Sequence, residues 1–458
     1  KGQTVNGVEF IDKAIEQGAI AVIWQSDEAT AAIPFSSRQT LQGKDIPVIA
    51  LDGLSYKAGL IANQFFAEPS KQMFVTGITG TNGKTSCSHF LAQALNDTES
   101  TGVIGTLGNG IYGQLQSATH TTPDVVSCHH LMADILAEGA QNIAMEVSSH
   151  ALDQGRVTGV DFDCAVFTNL TRDHLDYHGD MESYLASKLK LFVSPSLKFA
   201  VINRDDNAAA EIESVLAKNV QLVSYGLDEQ ADVCAKDIQL THDGMQMNIE
   251  TPWGSGELKT SLMGKFNISN LLAVLSVLLA KGVELNTALT RLSHVQGVAG
   301  RMQCLQSNDK PLVVIDYAHT PDALGHVLSA IKDHQPENIW CVFGCGGDRD
   351  QGKRPMMGTI AESLADKLVI TTDNPRSEDP EAIAADICEG IANLSQVDIL
   401  LDRAEAIKYA IKAATQNDIV LVAGKGHEDY QEVNGKRYPF SDLETAQQVL
   451  DMKGEVKA

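Results

Sequence analysis

Between Met73 and Leu95 a short apolar run, Met73-Phe74-Val75-Thr76, leads into Gly77-Ile78-Thr79-Gly80-Thr81-Asn82-Gly83-Lys84-Thr85-Ser86 and then into a helix-forming segment. A strand, a glycine-rich turn and a helix start, in that order, make a phosphate cradle. Gly80 and Gly83 allow the backbone N–H groups of Thr81, Asn82 and Ser86 to turn inward, and the helix N-terminus adds positive potential. Lys84 can reach the β- and γ-phosphates of a nucleotide, and the Thr85 hydroxyl can ligate Mg²⁺. ATP and Mg²⁺ are therefore the expected ligands. The general pattern has glycine six positions before the lysine, where this chain has Ile78. The tighter Gly80-to-Thr85 pattern selects a subset of ATP users.

Other polar clusters follow apolar runs in the same way. Glu146 closes one run, in Met145-Glu146-Val147-Ser148-Ser149-His150, where a carboxylate can bind Mg²⁺ near the cradle or simply face solvent. Asn169 to His178 holds Asp173, His174, Asp176 and His178, which suits a metal or phosphate site or a solvated loop. Lys188 and Lys190 sit on an amphipathic helix, ordinarily a place for surface lysines. Gly264 to Asn270 offers helix caps, or, through Asn267, a hydrogen bond to a nucleotide base. Arg301 suits a phosphate, and Asp316 at a strand end suits a ribose hydroxyl. Phe343 to Asp350, with Lys353 and Arg354, forms a second glycine-rich loop with a basic cluster, read as an anion site. Asp373-Asn374-Pro375-Arg376 and Gly424-Lys425-Gly426-His427-Glu428 also follow strand-like runs. All three loops should lie on one edge of a sheet, the usual ligand crevice of an open α/β domain.

The elements that must position these groups read as α/β throughout. Residues 1–70 form a small α/β unit, expected to be a shortened domain, with Phe10–Gln17 helical, Ala19–Trp24 and Ile46–Leu51 as strands, and Glu68-Pro69-Ser70 as a linker. Residues 71–299 form a central P-loop ATPase-type parallel sheet, with an antiparallel excursion over Val220–Leu262 and a helix over Asn270–Lys281. Residues 300–458 form a Rossmann-like, doubly wound sheet. A chain of 458 residues needs several cores, which agrees with three domains.

Composition narrows the partners. With 35 basic and 59 acidic residues, the net charge of −24 argues against nucleic acid and against an anionic membrane surface. The eight cysteines show no paired metal-type spacing, which fits reduced thiols in a cytoplasmic enzyme. The longest apolar stretch, Leu271–Ala280, is too short to cross a bilayer.

Taken together, Gly80–Ser86, Glu146–His150, Asn169–His178, Lys188, Gly264–Asn270, Gly300-Arg301 and Asp316–Pro321 resemble the Mur ligase family of peptidoglycan synthesis, over nearly the whole chain. Within it the chain is most similar to the tripeptide synthetases that add meso-diaminopimelate, whose loop carries the Asp373-Asn374-Pro375-Arg376 pattern. The resemblance implies ATP-dependent amide ligation with a UDP-N-acetylmuramoyl-L-alanyl-D-glutamate acceptor, in a cytoplasmic monomer. It implies that Thr121, Thr122, Ser148, Gln154 and Arg156 contact that substrate, with His120 where the family usually has asparagine. It implies that Arg349, Asp373, Asn374, Pro375, Arg376, Gly424 and Glu428 hold diaminopimelate. It further implies that Lys188 is carbamylated and, with Thr85, Glu146 and His174, ligates Mg²⁺, so that Lys84, Glu146, His174 and Lys188 form the catalytic set. A lysine-adding homologue, a folylpolyglutamate-type ligase, and a P-loop ATPase without ligase activity are the competing readings.

Overall fold

A computed structural model describes residues 7–25, 39–41, 44–227, 230–307 and 309–451. Among the described residues the N-terminal unit has four short strands, β1 (Val22–Gln25), β2 (Gln39–Leu41), β3 (Lys44–Ile46) and β4 (Val48–Leu51). β1 pairs in parallel with β4, and β2 pairs antiparallel with β3. The expected linker is more structured than its Pro and Ser imply. Pro69–Gln72 is a short 3-10 helix, and Pro69 and Ser70 are buried because Ser70 accepts the Asp161 N–H at 3.1 Å.

The central sheet has ten strands: β5 (Phe74–Thr79), β6 (Thr101–Gly105), β7 (Gly108–Ile111), β8 (Asn142–Glu146), β9 (Cys164–Phe167), β10 (Phe199–Asn203), β11 (Gln221–Gly226), β12 (Val233–Thr241), β13 (Gly244–Thr251) and β14 (Gly254–Thr260). Their order is β14-β13-β12-β11-β10-β9-β5-β8-β6-β7. The run from β12 back to β6 is parallel, whereas β13, β14 and β7 pair antiparallel. β5, β8 and β9 are almost wholly buried, as strands covered on both faces must be. Since β5 lies between β8 and β9, the loops that leave these three strands emerge side by side at one sheet edge.

Helices cover both faces of this sheet. Phe266–Ala280 is apolar almost all round and packs with the cradle helix Lys84–Asn96 in one core, while the other face buries Met132, Ile135, Phe167, Leu191 and Phe192. The Phe266 helix begins four residues before the sequence expectation of Asn270. It has no side-chain cap, so Asn267 and Asn270 lie inside it rather than capping it.

The C-terminal sheet contains β15 (Gln303–Leu305), β16 (Leu312–Asp316), β17 (Ile339–Phe343), β18 (Lys367–Ile370), β19 (Val397–Ile399) and β20 (Ile419–Ala423), in the order β15-β16-β20-β17-β18-β19. All pairs except β15–β16 are parallel. Separate cores fill its two faces. A hairpin of β21 (Tyr430–Val433) and β22 (Lys436–Pro439) follows β20. Among the described residues no helix is long and apolar enough to cross a membrane.

Candidate active site

The cradle forms because β5 stops at Thr79 and the chain turns through Gly80 (φ +151°) and Gly83 (φ +86°) before the helix starts at Lys84. At Gly80 a Cβ would stand 1.9 Å from Thr168 Oγ1, so no other residue fits without moving the neighbouring strand end. Lys84 Nζ donates to Gly80 O and Thr81 O, both at 2.8 Å, and so lies folded over its own loop. Burial lowers its pKa, while the Glu146 carboxylate opposes that shift.

Glu146, at the end of β8, is fully buried. It accepts the Thr85 hydroxyl at 2.9 Å, the Thr106 N–H at 2.8 Å and the Thr106 hydroxyl at 3.2 Å. Burial raises its pKa, and these donors with Lys84 pull it back. A hydroxyl and a carboxylate paired beside a phosphate cradle suit a hard, oxygen-seeking cation. Sequence reasoning missed Thr106. Its role comes from the loop between β6 and β7, and nothing in its immediate sequence marks it.

Thr121 and Thr122 lie on the next loop. The Thr121 and Thr106 hydroxyls are 3.0 Å apart. The Thr122 hydroxyl donates to Glu146 O at 2.8 Å and accepts the Ser148 N–H at 3.1 Å. Arg156 donates to Thr122 O at 2.9 Å and forks onto Gln154 Oε1 at 3.0 and 2.6 Å. Thr122, Ser148, Gln154 and Arg156 thus make one hydrogen-bonded group behind Glu146, and Thr121 is tied to Glu146 only through Thr106.

A cavity of about 620 Å³ joins the two sheets. Thr81 to Ser86, Thr106, Thr121, Glu146 and Asn169 line it from the central side, and Arg301, Asp316 and His326 from the C-terminal side. Asp316 is held by the N–H groups of Met302 and Ala318, both at 2.8 Å, and burial raises its pKa. Asn267 is not among the lining residues. Its side-chain amide donates to Met263 O at 2.8 Å and accepts from Asn270 at 2.9 Å. Asn270, one helical turn on, lines the cavity and was not singled out from the sequence.

Lys188 departs from the surface lysine expected of its helix. It is 1% exposed and lies 4.3 Å above the Tyr184 ring. Burial, with repulsion from Lys84, lowers its pKa to about 6. His174 meets the same Tyr184 ring, with centroids 6.0 Å apart, from a left-handed backbone (φ +54°). The Asp- and His-rich loop does not assemble a ready cluster. Asp173 and His174 approach to 3.5 Å, and among the described residues no three His, Cys, Asp or Glu side chains come together to hold a metal.

In the C-terminal sheet, the loops after β17, β18 and β20 meet at one edge. Asp373 and Asn374 are buried, and Gly424 (φ +119°) lets Asp373 approach where a Cβ would lie 2.6 Å from its carboxylate. Asn374 Nδ2 donates to Glu428 Oε2 at 2.9 Å. Arg376, also left-handed (φ +51°), donates to Gly347 O at 2.8 Å and lies 3.7 Å from Glu432. Arg349 is exposed at the same edge. The expected basic cluster needs correction. Arg354 is buried between Glu378 at 2.8 Å and Asp386 at 2.7 Å, and Lys353 donates to His319 O. A buried guanidinium needs such counter-charges, so Arg354 is already neutralised and offers nothing to an anion.

Two open α/β sheets facing one cavity, with a phosphate cradle on one side, define a nucleotide-binding enzyme fold. Residues 78–278 match the Mur ligase middle domain, and residues 300–426 match the Mur ligase glutamate ligase domain. The chain belongs to the Mur ligase family. It is 48% identical over 459 residues to a UDP-N-acetylmuramoyl-L-alanyl-D-glutamate--2,6-diaminopimelate ligase of Chromobacterium violaceum, covering 99% of this chain and 91% of that protein. It is 47% identical to the protein of the same name from Pseudomonas aeruginosa, covering 98% and 91%. A solved structure of a ligase of that name superimposes with a TM-score of 0.75 at 37% identity, covering 97% of this chain and 89% of that one.

Proposed function

We propose that the chain joins meso-2,6-diaminopimelate to UDP-N-acetylmuramoyl-L-alanyl-D-glutamate, with ATP converted to ADP and phosphate, in peptidoglycan synthesis. The observation that carries this reading is the near-half identity, over almost the whole chain, to ligases named for that reaction. The Asp373-to-Arg376 loop agrees with it. A guanidinium recognises the extra carboxylate that distinguishes diaminopimelate from lysine, and it would be left unpaired beside an ammonium group if lysine bound there.

In the first step an oxygen of the D-glutamyl side-chain carboxylate attacks the γ-phosphorus of ATP, the bond to ADP breaks, and an acyl phosphate forms. Gly80 to Ser86 orient the phosphates, and Lys84 exchanges its bonds to Gly80 O and Thr81 O for the oxygens of the transferred group. Arg301 and Asp316 are assigned to the nucleotide, and Asn267, whose amide is already bonded to Met263 O and Asn270, is not. Thr121, Thr122, Ser148, Gln154 and Arg156 hold the acceptor substrate. In the second step the diaminopimelate amine, placed by Arg349, Asp373, Asn374, Pro375, Arg376, Gly424 and Glu428, attacks the acyl carbon. The bond from the acyl carbon to phosphate breaks, and the leaving phosphate takes up the proton that the amine gives up. The substrate supplies the nucleophile in both steps, so no Ser or Cys nucleophile is required. Thr85 and Glu146 would hold Mg²⁺, with His174 and a carbamylated Lys188 as further ligands. The ion supplies neutralisation of phosphate charge when bound. A largely deprotonated, buried Lys188 amine is the form that reacts with carbon dioxide, losing a proton to give a carbamate anion that the Lys84 ammonium attracts.

We assign residues 1–70 to the UDP end of the acceptor, 71–299 to ATP and 300–458 to the amino acid, in a cytoplasmic monomer. Phosphate release by the purified chain, with ATP, Mg²⁺ and the UDP-linked dipeptide, tests the reading. Release that requires meso-diaminopimelate and is nearly absent with L-lysine is expected. Equal release with both amines would refute the Arg376 assignment, and indifference to both would refute the ligase.

A further inference from the structure

Lys425 is fully buried, yet its position in Gly424-Lys425-Gly426-His427-Glu428 gives it no role in the reading above. Burying an ammonium group is costly unless its surroundings are built for it. Its Nζ donates to Glu428 Oε2 at 2.9 Å and to Asn374 Oδ1 at 3.1 Å, and it lies 5.4 Å from the centre of the Tyr430 ring. Each partner belongs to a different segment: Glu428 to the loop after β20, Asn374 to the loop after β18, and Tyr430 to the hairpin.

The bonds around Lys425 are directional. Asn374 Oδ1 accepts from Lys425 and from the Glu432 N–H at 2.9 Å, so the amide orientation is fixed with Nδ2 toward Glu428. Glu428 Oε2 thereby accepts from both Lys425 and Asn374, which occupies that oxygen and leaves Oε1 for a further donor. The hairpin is tied to the same unit, because Arg376 N–H donates to Glu432 O at 3.0 Å and Asn434 N–H donates to Arg376 O at 2.7 Å. The cation therefore sits where the loop that carries Arg376 and the loop that carries Glu428 are joined.

We propose that Lys425 is a positioning residue for amine-substrate selection. It aims Glu428 Oε1 at the ammonium group of the substrate's amino-acid centre and locks the loop after β20 to the loop that presents Arg376. This rests on the assignment of Glu428 and Arg376 to diaminopimelate. Lys425 does not touch the substrate, so its removal should change recognition of the amine and leave the phosphoryl step intact.

The test compares wild type, Lys425→Met, Glu428→Gln and the double variant, all as full chains, in steady-state phosphate release with meso-diaminopimelate, ATP and the UDP-linked dipeptide varied in turn. Lys425→Met should raise KM for diaminopimelate roughly tenfold or more, the scale of a hydrogen bond to a charged group. KM for ATP and for the UDP-linked dipeptide should stay near wild type, and kcat should fall much less than the diaminopimelate KM rises. In the Glu428→Gln background the same change should add little, because the carboxylate that Lys425 aims at the ammonium group is gone. An unchanged diaminopimelate KM in Lys425→Met, or full additivity in the double variant, would overturn the proposal. If Lys425→Met does not fold, isothermal titration of diaminopimelate into Glu428→Gln and Asn374→Ala decides. Non-additive losses between these two support the lock, and independent losses overturn it. Wild-type release that does not depend on diaminopimelate would instead refute the functional reading on which the proposal stands.

Discussion

Glu146 shows how one residue can tie the phosphate cradle to the threonine and serine group proposed for the acceptor substrate. Its carboxylate faces Thr85 and the cradle, while its backbone carbonyl accepts the Thr122 hydroxyl on the acceptor side. Thr106 is the link between them, because its hydroxyl donates to Glu146 and so accepts from Thr121 at 3.0 Å. Thr106→Val keeps the backbone N–H but removes the hydroxyl from a buried carboxylate. This should lower kcat about tenfold, whereas Thr106→Ser should stay near wild type, since it retains the bond. Steady-state phosphate release measures both, and equal rates for Val and Ser would show that the hydroxyl does not hold Glu146. Lys188 marks the limit of residue-type reasoning. A lysine on an amphipathic helix reads as solvated, and only its placement over Tyr184 beneath the cradle shows that it is buried.

At the scale of elements, the strands were legible because parallel strands buried on both faces are short apolar runs, and β5, β8, β17 and β20 are of that kind. The loops after them were legible because glycines and charged residues cluster there. Less legible was anything decided by a partner distant in sequence. The start of the Phe266 helix was hidden because its asparagines bond within the helix rather than capping it, and the neutralisation of Arg354 depends on acids 24 and 32 residues away. Gly347 is a further case. A Cβ there would lie 1.9 Å from Pro375 O, so the loops after β17 and β18 are in contact only because this residue is glycine. Gly347 O also accepts from Arg376. Gly347→Ala should push these loops apart and displace the guanidinium. KM for diaminopimelate should rise severalfold while KM for ATP holds, and a rise in both would mean that the disturbance spreads beyond this edge.

Among the described residues, the polar contacts between the central and C-terminal parts include the Lys265–Asp333 ion pair, a His242 contact to Asp418 O and a buried histidine, His334. His334, just after the C-terminal helix Pro321–Lys332, lies between Thr241 at the end of β12 and Gly264 before the Phe266 helix. Its Nε2 accepts the Gly264 N–H at 3.0 Å, so the partners require a neutral ring with the proton on Nδ1, which meets Thr241 O at 2.7 Å. Burial lowers its pKa, with the bond to the Thr241 carbonyl and then Asp333 opposing and His242 and Lys265 reinforcing the shift. His89, on the cradle helix, is held down to about 4 by burial. A histidine depressed in the folded state stabilises it above the unfolded pKa of about 6.5, and that stability is lost as the pH falls through the folded pKa. For His89 the window is about 6.5 to about 4, worth roughly 3 kcal/mol at its foot. Protonating His334 turns its acceptor into a donor facing the Gly264 N–H, which loosens the junction that frames the cavity. Calorimetry should therefore show one cooperative transition at pH 8, a melting temperature that falls steadily below pH 6.5, and separation into two transitions on the acid side. His334→Ala should already show the separation at pH 8. A single transition in that variant would mean that the two sheets are coupled through their apolar contacts rather than through this ring.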